Sequence, residues 1–193
     1  MRGLVALMVI LGPSMAFAGY IKFHKTGFVR EDIKTLEGQL QWYVNQGDYQ
    51  VTLDLDSGGG DLSGILGLQA FEQGLAYRMK NLKSKGLVLT TQVSSRSVCE
   101  SACTALFALG DRRLAWRSSN FMFHAVIVQK AGKKKKYYKK LYADRWYRVI
   151  NEVDSSLAKF LKDNGWLETK RHDWDIRASS LKSKFGNYIT EIL

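Results

Sequence analysis

The stretch that decides the fold reads Gln50-Val51-Thr52-Leu53-Asp54-Leu55-Asp56-Ser57-Gly58-Gly59-Gly60. Val51, Leu53 and Leu55 alternate with period two, which predicts a strand with one apolar face running directly into a glycine turn. Beyond the turn, Leu62, Ile65, Leu66, Leu68, Ala70 and Phe71 recur at helical intervals, predicting one helix over 62–75, and residues 87–93 are β-rich again. Strand, helix, strand in that order predicts a parallel pair joined by a right-handed crossover, the repeating unit of an α/β fold. Upstream, residues 20–23 alternate like a strand. Ile33, Leu36, Leu40, Trp42, Tyr43 and Val44 then mark a helix opened by Glu31 and Asp32 and closed near Gly47.

A second unit follows the same rhythm. Ala102, Ala105, Leu106 and Leu109 predict a small buried helix ending at Gly110, and residues 113–115 and 120–128 read as short strands. A long amphipathic helix is expected over 141–162, using Leu141, Trp146, Val149, Ile150, Val153, Leu157 and Phe160, with Asn164-Gly165 as its stop. The tail over 177–193 reads as a short helix and a closing strand. No internal repeat or Pro/Ser-rich linker divides the chain, so residues 19–193 are expected to form a single α/β domain.

The chain has 193 residues, with 29 Lys+Arg against 18 Asp+Glu, a formal charge of +11, and 46% hydrophobic residues. That balance suits a packed globular domain and excludes wholesale disorder and a disulfide scaffold. Arg2, the apolar run from Leu4 to Leu11, the Gly12-Pro13 break and Ala16-Phe17-Ala18 together read as a secretory signal peptide over 1–18. The run is too short to span a bilayer, so cleavage before Gly19 is expected to release a soluble periplasmic or secreted product, in a compartment where disulfides form.

The glycine turn is not a nucleotide site. A dinucleotide fingerprint counted from Gly58 and Gly60 requires glycine at position 63, where Ser63 stands, and no Gly-Lys-Ser/Thr follows. Three glycines between a strand and a helix instead leave backbone N–H groups open to an oxyanion. The second strand-to-helix junction, Ser97-Val98-Cys99-Glu100-Ser101-Ala102-Cys103, places Ser101 at a helix start, where a hydroxyl gains nucleophilic character. His124 closes the apolar run Phe121-Met122-Phe123.

From the glycine turn to the tail, the chain resembles the proteolytic subunit of Clp protease and its secreted relatives in the Clp/crotonase superfamily. The resemblance rests on Ser57-Gly58-Gly59-Gly60, Ser101-Ala102 and Phe123-His124 arriving in that order over roughly residues 51–186, with Gly58 where the family has proline. It implies a fold of repeated β-β-α units, a polypeptide substrate and a homo-oligomer. It also implies acyl transfer by a catalytic triad of Ser101, His124 and Asp173, the last lying 49 residues after His124 with Asp175 as its competitor. The backbone N–H groups of Gly60 and Ala102 would hold the oxyanion. No cofactor is implied, and no metal-ligand spacing joins the cysteines to His24, His124 and His172.

Cys99 and Cys103 flank Ser101 and read either as a disulfide clamping the turn or as two small buried thiols. Lys130, Lys133–Lys136, Lys139 and Lys140 put seven positive charges into eleven residues, an insertion expected to be disordered without a partner. Such a stretch suits an anionic envelope surface better than nucleic acid, which an exported protein seldom meets. It also supports a rival reading, a Clp-like binding module without catalysis that engages an envelope component or partner protein.

Overall fold

The computed structural model describes residues 18–67, 73–129, 136–138, 140–168 and 173–193; residues 1–17 of the expected signal segment, residues 68, 70 and 71 of the expected helix over 62–75, residues 130–135 and 139 of the basic stretch, and His172 lie outside them. Strand β1 (Gly19–Lys25) leads into helix α1 (Arg30–Asn45), which buries Ile33, Leu36, Leu40 and Val44 and whose Asp32 carboxylate accepts the Val29 N–H at 2.9 Å. Strand β2 (Gln50–Ser57) buries Val51, Leu53 and Leu55 against the helices, as the alternation predicts. Then come α2 (Leu62–Leu66), α3 (Leu75–Ser84), β3 (Val88–Val93), β4 (Val98–Glu100) and α4 (Ala102–Phe107), whose six residues are all buried. The chain continues through β5 (Arg112–Ala115), β6 (Asn120–Phe123), the β7 (Ile127–Gln129) and β8 (Lys136–Tyr138) hairpin, α5 (Lys140–Val153) and α6 (Ser155–Asp163). It closes with β9 (Trp174–Arg177), α7 (Ala178–Lys184) and β10 (Glu191–Ile192).

Eight strands form one sheet in the order β10-β5-β3-β2-β4-β6-β9, with β1 on the free edge of β2. All pairings are parallel except β6 with β9. Because β1 covers one edge of β2 from Val51 to Ser57, β3 and β4 must share the other edge. β3 pairs as far as Leu55↔Val93, and β4 takes over at Ser57↔Cys99. The sheet therefore forks at the C-terminal end of β2. On the polar face, the buried Asp54 carboxylate accepts hydrogen bonds from Tyr20 Oη (3.0 Å), His24 Nε2 (3.0 Å), Gln92 Nε2 (3.1 Å) and Ser94 Oγ (2.8 Å). Burial pushes its pKa up, but these donors outweigh burial and hold it below the usual range.

Four expectations are corrected. The single helix over 62–75 is two, because Gly67 (φ +79°) closes α2 and a new helix starts after Gly74. The strand over 120–128 ends at Phe123, and Ile127–Gln129 pairs with β8 in a separate hairpin. Lys136 of the basic stretch accordingly lies in a strand, and Lys140 opens α5 and pairs with Asp144 at 2.8 Å. The helix over 141–162 breaks at Asp154, which leaves helical geometry at φ −153° to cap α6.

Asp154, 2% exposed, accepts from Ser156 Oγ (2.6 Å) and from the N–H groups of Leu157 (2.9 Å), Asn187 (3.0 Å) and Tyr188 (3.0 Å). Burial raises its pKa, but the hydrogen bonds lower it further, below the ordinary aspartate value. Asp154→Ala strands buried donors in the helix and in the tail, and urea denaturation is expected to show a loss of about 3 kcal/mol at neutral pH. A carboxylate with a depressed folded-state pKa contributes its stability above the unfolded-state value of about 4. The gap between wild type and variant should therefore shrink as pH falls through that value toward the folded-state pKa.

Candidate functional site

The glycine turn is shaped by backbone contacts that exclude a side chain. Ser57 Oγ accepts the Gly59 N–H at 3.1 Å, and Gly59 adopts φ +94°. A Cβ on Gly59 would lie 2.6 Å from Ser101 Cβ and 2.7 Å from the Glu100 carbonyl oxygen. A Cβ on Gly60 would lie 2.1 Å from the Phe28 carbonyl oxygen, and one on Gly58 2.7 Å from that of Thr26, which explains glycine where the Clp pattern has proline. Gly60 sits between two backbone bonds, Phe28 N–H to the Gly59 carbonyl and Asp61 N–H to the Phe28 carbonyl, both 2.9 Å. Its own N–H has no acceptor among the described residues.

This turn lies against the start of α4, where Ser101 adopts φ 53°, ψ −126°. A non-glycine residue in this region costs on the order of 1–3 kcal/mol and persists only where its surroundings over-determine it. Those surroundings are visible. The Ser101 N–H donates to the Met122 carbonyl at 2.8 Å, and the Ser101 carbonyl accepts from the Thr104 N–H (3.0 Å) and Thr104 Oγ1 (2.9 Å). Cys99 and Cys103, both fully buried, are joined in a disulfide that spans the serine, which resolves the open reading of the two cysteines. Ser101 occupies the capping position of α4, yet its hydroxyl caps no amide and has no hydrogen bond among the described residues. The Ala102 N–H likewise has no acceptor there. A sharp strand-to-helix turn of this kind presents a hydroxyl outward beside open amides.

His124 and Asp173 reach the same end of the sheet by strand register. β4 and β6 pair Glu100↔Met122, and β6 and β9 pair Met122↔Asp175 and Phe123↔Trp174. The pairing ends there, so His124 is the first residue after β6, Asp173 the last before β9, and Ser101 the first after β4. His124 is half-buried, and its Nδ1 lies 2.8 Å from the Ala125 carbonyl oxygen, a contact that makes Nδ1 the protonated nitrogen and leaves Nε2 the basic one. Asp173 is exposed. No hydrogen bond joins Ser101, His124 and Asp173 to one another among the described residues. Asp175 lies in the row of Met122 and Glu100, two residues before His124 along β6.

Glu100 is the residue that sequence reasoning missed. It is half-buried, and its carboxyl pKa is raised by burial first and then by Asp175 and Asp173, with His124 opposing. The available signal was its place two residues after Val98, which puts it on the polar sheet face beside Met122. A cleft of about 600 Å³ lies elsewhere, lined by Tyr147, Arg148, Asn151 and Lys159 of α5 and α6.

No model of a protein family matches the chain, and no curated protein does. Solved structures do. A mutant ClpP1 from Listeria monocytogenes superposes with TM-score 0.62 at 14% identity, over 90% of each chain. The ClpP protease catalytic domain from Plasmodium falciparum superposes with TM-score 0.61 at 16% identity, over 90% of this chain and 84% of that one. The chain therefore has the ClpP-like α/β fold that the order of its motifs implies.

The crowding at Gly59 is directly testable. Gly59→Ala forces the turn off Ser101 and strains φ, so urea unfolding should show a loss of about 2–3 kcal/mol. Gly38→Ala, in α1 with nothing within 4 Å of the added methyl, should instead gain about 0.5–1 kcal/mol.

Proposed function

We propose that this chain is an exported serine hydrolase that cleaves peptide bonds by acyl transfer. The observation that carries the reading is Ser101 itself, a serine held at positive φ against the glycine turn, whose hydroxyl, like the N–H groups of Gly60 and Ala102, has no hydrogen-bond partner among the described residues. Among the solved structures with this fold are a ClpP1 mutant and a ClpP protease catalytic domain, which supports a peptide rather than a small ester as substrate.

In this mechanism Ser101 Oγ attacks the substrate carbonyl carbon while His124 Nε2 takes the hydroxyl proton. The Gly60 and Ala102 N–H groups hold the oxyanion, and His124 then returns the proton to the leaving amine; water repeats the sequence to release the acyl group. The Ala125 carbonyl already holds the imidazole in the required tautomer. Asp173 would stabilise its cationic form, and the register favours it over Asp175. Hydrogen bonds between catalytic groups commonly tighten only in the substrate complex.

Export is part of the proposal. β1 begins at Gly19, directly after the small-x-small sequence Ala16-Phe17-Ala18, so removal of residues 1–18 would leave every strand and helix of the domain intact. Gly19 also packs on Tyr43, where a Cβ would lie 2.7 Å from the ring. Intact-mass measurement of protein from the cell envelope should give Gly19 as the first residue; retained Met1 would indicate an anchored chain.

For the chemistry, a fluorophosphonate should label the wild type and not Ser101→Ala. Ser101→Ala and His124→Ala should each reduce peptide hydrolysis by about 10³-fold or more while leaving thermal unfolding nearly unchanged. Asp173→Asn should cost more turnover than Asp175→Asn, and the reverse order would move the third role to Asp175. A wild type that resists the reagent but binds anionic vesicles through Lys133–Lys136 would establish the binding-module reading instead.

A further inference from the structure

We propose that Cys99 and Cys103 are positioning residues for Ser101, so that the site becomes competent only when the disulfide forms. The inference rests on the hydrolase reading above and adds a condition to it. Among the described residues only Arg96 and Ser101 combine a side chain with positive φ, and only Ser101 is spanned by a covalent bridge. The bridge joins the residue two before it to the residue two after it. Its Cα atoms are 5.2 Å apart, whereas the same five residues in extended form would span about 13 Å. The bridged segment cannot stay extended, and Ser101 is where strand β4 gives way to helix α4.

The remaining restraints on Ser101 are few. β4 has three residues and α4 six, and the hydrogen bonds to Met122 and Thr104 fix the peptide planes without fixing the angle between strand and helix. Cys99 supplies that reference, because it is paired with Phe121 of β6 on one side and Ser57 of β2 on the other. Through Cys103 the bridge carries the position of the sheet into the first turn of α4. Without it, a shift of Ser101 toward negative φ relieves strain but turns the hydroxyl and the Ala102 N–H away from the Gly60 N–H. The loop closed by the bridge is too short to restrict the unfolded chain much, so its effect should fall on the site more than on the whole fold.

The chemistry balances with a disulfide oxidant. The Cys99 and Cys103 thiols pass two electrons to glutathione disulfide, one sulfur–sulfur bond forms as another breaks, and the two thiol protons end on two glutathione thiols. Both cysteines are fully buried, so the bridge is made as the chain folds and is shielded afterwards. A reduced chain would then be folded but latent, and activity would be confined to an oxidising compartment.

The full chain is unfolded and reduced, then refolded either in dithiothreitol or in a glutathione redox buffer. Both forms should unfold cooperatively. The reduced form should react with fluorophosphonate about 10²-fold more slowly, and its Ala102–Thr104 amides should exchange hydrogen faster while those of β3 do not change. Cys99→Ala/Cys103→Ala should behave like the reduced wild type in both buffers. Equal labelling of the two forms overturns the proposal. So does loss of cooperative unfolding on reduction, which would give the bridge to the whole fold. If the oxidised form is unreactive, the hydrolase reading fails by itself; the exchange comparison still decides the positioning role, and equal exchange at Ala102–Thr104 ends it.

Discussion

One edge of β2 has to serve two strands, and the rest of the molecule is arranged around that constraint. With β1 on the opposite edge, β3 leaves the ladder after Val93 and β4 enters at Cys99. The exchange leaves polar groups that a continuous ladder would have satisfied. Two acids on the polar face of β2 hold the exchange: Asp56 accepts the backbone Val98 N–H at 3.0 Å where β4 begins, and Asp54 accepts the Ser94 side-chain hydroxyl where β3 departs. The turn between them contains Arg96 at φ 65°. Forking opens the C-terminal end of the sheet, and the glycine turn and Ser101 meet in that opening. An unforked ladder would have filled it with a neighbouring strand.

The helix that begins at Ser101 is held from behind by the C-terminal tail. Tyr188 Oη donates to the Thr104 carbonyl at 2.7 Å, and its ring packs on Phe107, Phe121 and Phe123. Burial pushes the Tyr188 phenol far above its ordinary pKa, so it remains a neutral donor. The tail is pinned in turn from both sides. Asp154 accepts its Asn187 and Tyr188 N–H groups, and the Arg113 guanidinium donates to the Tyr188, Asn187 and Gly110 carbonyls. A buried guanidinium paired with carbonyls alone is costly to desolvate unless its donors are used, and these three carbonyls together with that of Asp111 use them. Residues over eighty positions from Ser101 thus set the rigidity of its helix.

Much of this was legible because periodicity reports burial. α1, β2 and β3, with one buried face each, follow their apolar spacing closely, and the glycine turn stands where β2 ends. What periodicity cannot report is a break whose flanking residues stay apolar. The apolar pattern runs through Gly67 and through Asp154, so the expected single helices become pairs; Gly67 turns to positive φ, and Asp154 finds better partners in the tail than a helix could offer. The run over 120–128 hides the end of β6 for the same reason. The antiparallel placement of β9 on β6 depends on long-range register, which a single sequence does not carry. Ser101 is a further case, since serine has no preference for positive φ and its conformation depends on contacts distant in sequence, with Gly59 packed against it and the Met122 carbonyl accepting its N–H.

The places where the fold acts against its own stability coincide. Elsewhere the buried carboxylates Asp54 and Asp154 are surrounded by donors, and their pKa values are lowered. Glu100 is the opposite case, half-buried with Asp173 and Asp175 near it, and its pKa is raised. An acid whose folded-state pKa lies above its unfolded value weakens the fold as pH rises past that unfolded value, so at neutral pH Glu100 costs stability where Asp54 and Asp154 add it. Next to it stand Ser101 at positive φ and two glycines that admit no side chain. Strain, like charge and open amides gathered at one sheet end, in a chain whose other local choices agree with its fold, mark that end as the part shaped for something other than folding.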